Sequence, residues 1–399
     1  MRSVLLLGNY RPTLGILRQI DPSRWRTILG RDGDVSQADR SNRVSEIWDH
    51  PHLVADEPGF LAALTRLLDK RRDIAAILPV SERATMALNN IALPRRIAVW
   101  APQPSVSAAC VDKAELTRLA KRAGLSVPPY RTANRAHEVR MLANRIGYPC
   151  IAKPAAEASL IAGEKAIVLR SPEDASRLRS RLAAESGPWI LQRLVEGPRH
   201  NLYFAANGGV LAQGAEALIT RTDKPNGTGY AVTGRTIEPT PEIWAETRSL
   251  LKRLNYQGVG CAQFIRNPET GELCFLEINP RIGANAASVM RAGLDLVDWA
   301  ERLSGAEVLS MPARADLYRR DFSYVWTKGD ISGLKAAMAA RSLTISQAAR
   351  WAGRLVRDAM TADMHLTWSW RDPAPSLALY AQAFLPSVKG GRPKRKGYA

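Results

Sequence analysis

Cysteine, acidic residues and long apolar runs are all in short supply in this chain of 399 residues, and each shortage removes a class of answer. The four cysteines, Cys110, Cys150, Cys261 and Cys274, stand singly and mostly in apolar stretches, with no C-x-x-C spacing. That excludes a zinc ribbon or a redox dithiol and leaves packed, reduced thiols, a usage that favours the cytoplasm. No apolar run approaches the roughly 20 residues a membrane-spanning helix needs, and the run from Val4 to Gly8 is far too short for a signal segment. No repeat of fixed period is visible, and no G-x-G-x-x-G follows the first strand-like run, so neither a solenoid nor a dinucleotide site is inferred.

The acid deficit is the largest imbalance. Lys and Arg total 56 against 38 Asp and Glu, a formal net charge of +18 with a pI near 10.1. A nucleic-acid binder is one reading, and the tail from Lys389 to Ala399 reads as a basic arm. Arginines are nevertheless spread over many helical stretches, which solvated helix faces explain, and a positive field equally suits small anionic ligands. With 46% hydrophobic and 24% charged residues the chain has ordinary globular content, enough for two or three cores.

What is present is concentrated in Phe275–Arg281, FLEINPR. Side chains alternate along a strand, so Glu277, Asn279 and Arg281 share one face and Leu276, Ile278 and Pro280 the other. A second strand, Val259–Arg266, precedes it across the turn signal NPETG, which marks a hairpin. If the pairing closes tightly on that turn, Gln263 joins the face of Glu277 and Asn279, whereas a slip of one residue undoes this. Oxygen donors of this kind on rigid strands suit Mg²⁺, which takes one or two carboxylates together with substrate phosphates. Upstream, Asp112 and Glu115 have capping-box spacing, which puts Lys113 at a helix N-terminus, and Gly124 ends that helix.

The strand pair, its turn and the following GANAASVMRAGLDL segment resemble the metal-binding end of an ATP-grasp domain. The resemblance covers about residues 108–305. It implies ATP as cofactor with Mg²⁺, or alternatively Mn²⁺, held by Gln263, Glu277 and Asn279. Lys113 and Lys153 fall where the superfamily's phosphate-binding lysines stand, and Arg281 falls where an arginine contacts transferred phosphate or the acyl group. The loop after Lys153 departs from the pattern, offering Ala155, Ala156, Ser159 and Gly163 with Lys165 where relatives are rich in Gly and Ser. Gln192, Leu194 and Val195 match the hinge that meets adenine. Arg199 and His200 occupy the stretch that reaches ribose, and His200 is the candidate there. Arg221, Lys224 and Gly227–Gly229 are further candidates for phosphate or substrate.

The fold this implies is α/β in class: a two-subdomain ATP-grasp core with an antiparallel sheet, preceded by a Rossmann-like domain and followed by a mostly helical extension. The boundaries expected are 1–107 for the first domain, 108–190 and 191–305 for the two parts of the core, 306–386 for the extension and 387–399 for the basic tail. Strand-like runs alternating with helical stretches before residue 104 support a parallel sheet independently, and Asn9, Tyr10 and Ser81 fall at strand ends that face such clefts. The extension is read as two packed helices broken near Ser342–Thr344, with Trp326, Trp351, Trp368 and Trp370 as packing residues. It either completes a substrate pocket or forms a homodimer contact.

The activity the resemblance implies is ATP-dependent ligation of a small-molecule carboxylate to an amine through an acyl phosphate. No membrane partner is expected, and nucleic acid is disfavoured as a partner. Two alternatives stay open: an ATP-grasp protein that binds without catalysing, suggested by the atypical loop and by Arg199 and His200, and a nucleic-acid binder acting through its basic tail.

Overall fold

A computed structural model of the chain describes residues 1–32, 37–156, 159–183, 187–225, 227, 229–305, 312 and 314–384. The basic tail from Lys389 lies outside the described residues.

The first sheet contains β1 (Arg2–Leu7), β2 (Trp25–Arg31), β3 (Glu46–Asp49), β4 (Ile74–Pro79) and β5 (Ala98–Val99), all parallel in the order β3-β2-β1-β4-β5. Val4–Leu7 have no exposed surface, as expected of a parallel strand covered on both faces. Helix Arg11–Gln19 follows β1 and helix Glu82–Leu88 follows β4, so the strand-to-helix junctions at the carboxyl ends of these two strands carry Tyr10 and Ser81 as N-cap residues and Arg11 and Glu82 as first helical residues. Ser81 caps its helix by accepting from the Ala84 N–H.

A four-stranded antiparallel sheet follows, ordered β6-β9-β7-β8, from β6 (Tyr130–Ala133), β7 (Cys150–Pro154), β8 (Ile167–Leu169) and β9 (Trp189–Arg193). Helix Lys113–Arg122 begins at Asp112, whose side chain accepts from the amides of Ala114 and Glu115. Glu115 does not complete a capping box, because its carboxylate turns to Arg118 instead. The Lys113 N–H donates to Ala155 O at 2.9 Å, tying this helix start to the end of β7.

The large sheet, ordered β14-β13-β10-β11-β12-β15-β16, is built from β10 (Arg199–Asn207), β11 (Val210–Thr222), β12 (Ala231–Thr236), β13 (Gly258–Arg266), β14 (Leu273–Asn279), β15 (Ser323–Val325) and β16 (Met364–His365). The last two strands belong to the extension, which is therefore not only helical: it adds β15 beside β12 and β16 at the sheet edge as well as helices Thr327–Ala339, Ile345–Thr361 and Ala374–Phe384. Thr344 caps the second of these helices, which places the helix break where Ser342–Thr344 predicts it. One face of β10, with Leu202 and Phe204, packs on helices Lys113–Arg122 and Pro241–Leu254. On the other face Tyr203 and Ala205 join Val4, Leu6, Leu14 and Val289 in a single core. The N-terminal domain and the large sheet thus share one apolar interior.

Candidate active site

Between these layers lies a cavity of about 510 Å³. Lys113, Lys153, Gln263, Glu277, Asn279 and Arg281 all line it. The turn that makes this possible is pinned by Asn267, whose Oδ1 accepts from the amides of Glu269 and Thr270 at 2.8 and 3.1 Å. Gly271, at φ +72°, supplies the left-handed residue the turn needs.

The register then changes within the hairpin. Near the turn Phe264 pairs with Phe275, but beyond a bulge Gln263 pairs with Glu277 and Cys261 with Asn279. Leu276 is the extra residue. Plain alternation without the bulge would put Phe275 and Glu277 on one face; the bulge lets Phe275 enter the core and Glu277 the cavity. The same bulge separates Leu276 from Ile278, which the plain alternation puts together. Leu276 packs with Val195, Ile265 and Cys274, whereas Ile278 lies in the core beside Phe264.

Since β10 pairs with β13 by placing Asn201 opposite Gln263, the side chains of Asn201, Gln263 and Glu277 form a row across three strands. Glu277 is its electrostatic centre. Asn279 Nδ2 donates to Glu277 Oε1 at 3.2 Å, and Lys113 Nζ stands 3.5 Å from Glu277 Oε2. Burial pushes the Glu277 carboxyl up, but the Lys113 and Lys153 ammoniums outweigh burial and hold it below the usual carboxylate range. One ionised carboxylate flanked by two amide oxygens is a donor set that fits a hard divalent cation also bound by phosphate and water. Among the described residues no group of three His, Cys, Asp or Glu is placed to hold a metal by itself.

Arg281 lines the cavity with its Nε donating to Glu82 Oε1 at 2.5 Å, an ion pair 10–16% exposed that joins the N-terminal domain to the core. Eight Lys and Arg side chains line the cavity against four Asp and Glu, so its field selects anions.

Other expected residues are placed elsewhere. His200 is adjacent to Arg199 and Asn201 in β10 and therefore points to the opposite face. Its Nδ1 lies 2.9 Å from Oε1 of the fully buried Glu216, which also accepts from Thr240 and Trp244. His200 is thus a core residue on the side away from the cavity. Gln192, Leu194 and Val195 do not line the cavity. Gln192 is buried with its Oε1 3.5 Å from Lys153 Nζ, and the Leu194 N–H is committed to Pro149 O at 3.1 Å. Arg221 is held by Asp330 and Asp358 of the extension, a structural role in place of the expected anion contact. Tyr10, Ser81, Ser159, Gly163, Lys165, Lys224 and Gly229 do line the cavity, and Asn9 does not.

Sequence reasoning missed Glu82, Arg11, Asn201, Asp223 and Tyr230, all of which line the cavity. For Asn201 a signal existed: the alternation of RHNLYF, once registered on Gln263, puts Arg199 and Asn201 rather than His200 on the cavity face. For Arg11 and Glu82 no local signal exists, because a different domain brings them in.

The parallel N-terminal sheet, the four-stranded antiparallel sheet, the large sheet that is antiparallel except at its β15–β16 pair, and the charged cleft between them define an ATP-grasp architecture. Residues 112–311 match the family model described as the carbamoyl-phosphate synthase L chain, ATP binding domain, and the chain belongs to that family. It is 25% identical over 285 residues to the carbamoyl phosphate synthase large chain of Ralstonia nicotianae, which covers 67% of this chain and 25% of that one. The methylcrotonoyl-CoA carboxylase subunit alpha of Oryza sativa is 26% identical over 231 residues, 53% of this chain and 30% of its own length. The chain thus spans about a quarter to a third of these two relatives. Among solved structures, the biotin carboxylase domain of Hydrogenobacter thermophilus 2-oxoglutarate carboxylase, described in complex with MgADP, ADP and bicarbonate, superposes with a TM-score of 0.61 at 20% identity, covering 81% of this chain and 73% of that one. The N5-carboxyaminoimidazole synthetase of Staphylococcus aureus gives 0.58 at 13% identity, covering 78% of each.

Proposed function

We propose that this chain is an ATP-dependent ligase that phosphorylates a small carboxylate and transfers the acyl group to an amine. The observation that carries the reading is the row Asn201–Gln263–Glu277 with Asn279 beside it, faced by Lys113 and Lys153 in one cavity. A carboxylate resists amine attack because oxide leaves poorly. Transfer of the γ-phosphoryl group from ATP to a carboxylate oxygen releases ADP and makes phosphate the leaving group. The amine nitrogen then bonds to the acyl carbon, phosphate departs, and the nitrogen loses a proton.

Gln263, Glu277 and Asn279 would hold Mg²⁺, which when bound neutralises charge on the phosphates. Lys113 and Lys153 add positive charge to the same oxygens, and Lys113 does so at a helix N-terminus. Arg281, oriented by Glu82, is assigned to the acyl phosphate. The adenine ring is assigned to the hinge at Gln192, Leu194 and Val195, which lies outside the lining of the cavity itself. The bicarbonate described in the Hydrogenobacter structure makes bicarbonate itself one carboxylate to include.

ADP release is the test, measured with and without Mg²⁺ over a panel of small carboxylates crossed with amines. Release that requires Mg²⁺ and both substrates supports the ligase. A second reading, a nucleotide-binding protein without turnover, is favoured by the single carboxylate in the metal-facing set. It is established if Mg·ATP raises the melting temperature while no substrate pair releases ADP.

A further inference from the structure

In the cavity that Gln263 lines, polar groups of both signs are buried without partners. Arg11 reaches in from the first turn of the helix that follows β1. Its guanidinium carbon stands 3.7 Å from the Trp326 ring centroid and 5.8 Å from that of Tyr230, and its Nε and Nη1 atoms are buried with no hydrogen-bond partner. Burial pushes the Arg11 group down to about 10, which still leaves it fully charged at neutral pH. Asn201 and Asn285, each 6% exposed, donate through Nδ2 to the hydroxyls of Tyr203 and Tyr324 at 3.4 and 3.0 Å, and this turns both Oδ1 atoms into acceptors with nothing to accept from. All three residues line the same cavity.

Buried polar groups are nearly always satisfied, so three residues of one cavity lining that each keep an unpartnered buried atom point to a ligand that completes them. The guanidinium asks for an anion and the two carboxamide oxygens ask for N–H donors. A planar guanidinium stacked on an indole is suited to a carboxylate. Lys113 and Lys153, close to Glu277, are already proposed for phosphate oxygens.

We infer that Arg11, Asn201 and Asn285 form a subsite for an α-amino acid, with its carboxylate on Arg11 and its amino group on the two carboxamide oxygens. Because Asn201 sits beside Gln263 in the cross-strand row, the amino group lies next to the metal-facing donors, where an attacking amine is needed. That the amino acid serves as the attacking amine rests on the ligase reading; that it binds here does not. The subsite also gives the extension a task, since Trp326, immediately after β15, is the surface on which Arg11 is stacked.

Calorimetric titration of the full chain in Mg·ADP with each of the twenty α-amino acids and with the corresponding amino acid amides tests this directly. At least one amino acid is expected to bind, with its amide about 100-fold weaker, because the neutral amide cannot form the charge-assisted hydrogen bonds that a carboxylate makes with a guanidinium. In Arg11→Met the acid and its amide should bind equally weakly, while in Asn285→Ala both should weaken and the preference for the acid persist. The inference is overturned if no amino acid binds, if the amide matches the acid, or if Arg11→Met still prefers the acid. Should Arg11→Met not fold, the comparison of acid with amide on the unmodified chain decides. Absence of ADP release alongside tight, carboxylate-selective binding would refute the ligase and leave the subsite standing.

Discussion

Replacing Glu277 by Gln keeps the shape of the side chain and an oxygen to accept from Asn279 Nδ2, but removes the only carboxylate in the row proposed to hold the metal. At 3.5 Å from Lys113 Nζ the attraction removed is about 5 kcal/mol at an effective dielectric constant of about 20. Much of it offsets the cost of burying the charge, and a net loss of roughly 1–2 kcal/mol of stability is expected. The contribution to stability is present above the ordinary carboxylate range and disappears as pH falls through the depressed folded value. The difference between wild type and variant should therefore be flat between pH 5 and 8 and shrink below about pH 4. The chemical effect is larger: about 3 kcal/mol or more of transition-state stabilisation, at least 100-fold in kcat/KM. ADP release as a function of Mg²⁺ concentration, with urea unfolding as the control, separates the two effects. A variant within tenfold of wild type and with unchanged half-saturating Mg²⁺ would refute the assignment of Glu277.

His200→Ala should cost about 1–2 kcal/mol in urea unfolding while leaving ADP affinity unchanged, because His200 bonds to Glu216 on the face away from the cavity. A tenfold loss of ADP affinity at unchanged stability would restore the ribose role. Asp330→Asn should cost about 3 kcal/mol, seen as early unfolding of the extension by hydrogen exchange. Asp330 is fully buried, pairs with Arg221 and accepts from Trp351 Nε1 at 2.6 Å. Burial, reinforced by Glu242, pushes the Glu246 carboxyl up to about 7, and its Oε2 is buried without a partner. Since its folded value lies above the unfolded one, the destabilisation grows as pH rises from about 4.3 to 7. Glu246→Gln should accordingly stabilise the protein by roughly 1–2 kcal/mol at pH 8 and not at pH 4, a difference that urea midpoints at the two pH values would show or exclude.

What could be read from the sequence followed the range of the physics involved. The alternation in FLEINPR needs only neighbouring residues, and it brought out Glu277, Asn279 and Arg281 as one set. The parallel character of the first sheet was likewise visible in its apolar runs. Gln263 required one further piece of information, the register across a turn, and the outcome depended on a bulge at Leu276 that no composition announces. The choice of His200 over Asn201 failed at the same level. Alternation says that only one of two neighbours can face the site, but which one is decided by pairing to another strand.

Beyond the strands, the site is set by contacts between residues far apart in the chain. Arg281 meets Glu82 across 199 positions, and Arg11 stacks on Trp326 from the opposite end of the protein. Such pairs leave no periodicity in the sequence, because each partner looks locally like an ordinary helix-terminal or surface residue. This separates the two halves of the cavity. The half proposed to face phosphate is built on adjacent strands with short-range register, and its residues could be read from the sequence. The half proposed to take the substrate is assembled from the start of the first helix, the central sheet and an appended strand, and what it would select is encoded only in how the three pack. Changes at Arg11 or Trp326 should therefore alter which molecule is bound while leaving intact the machinery that handles ATP, the reverse of what changes at Glu277 should do.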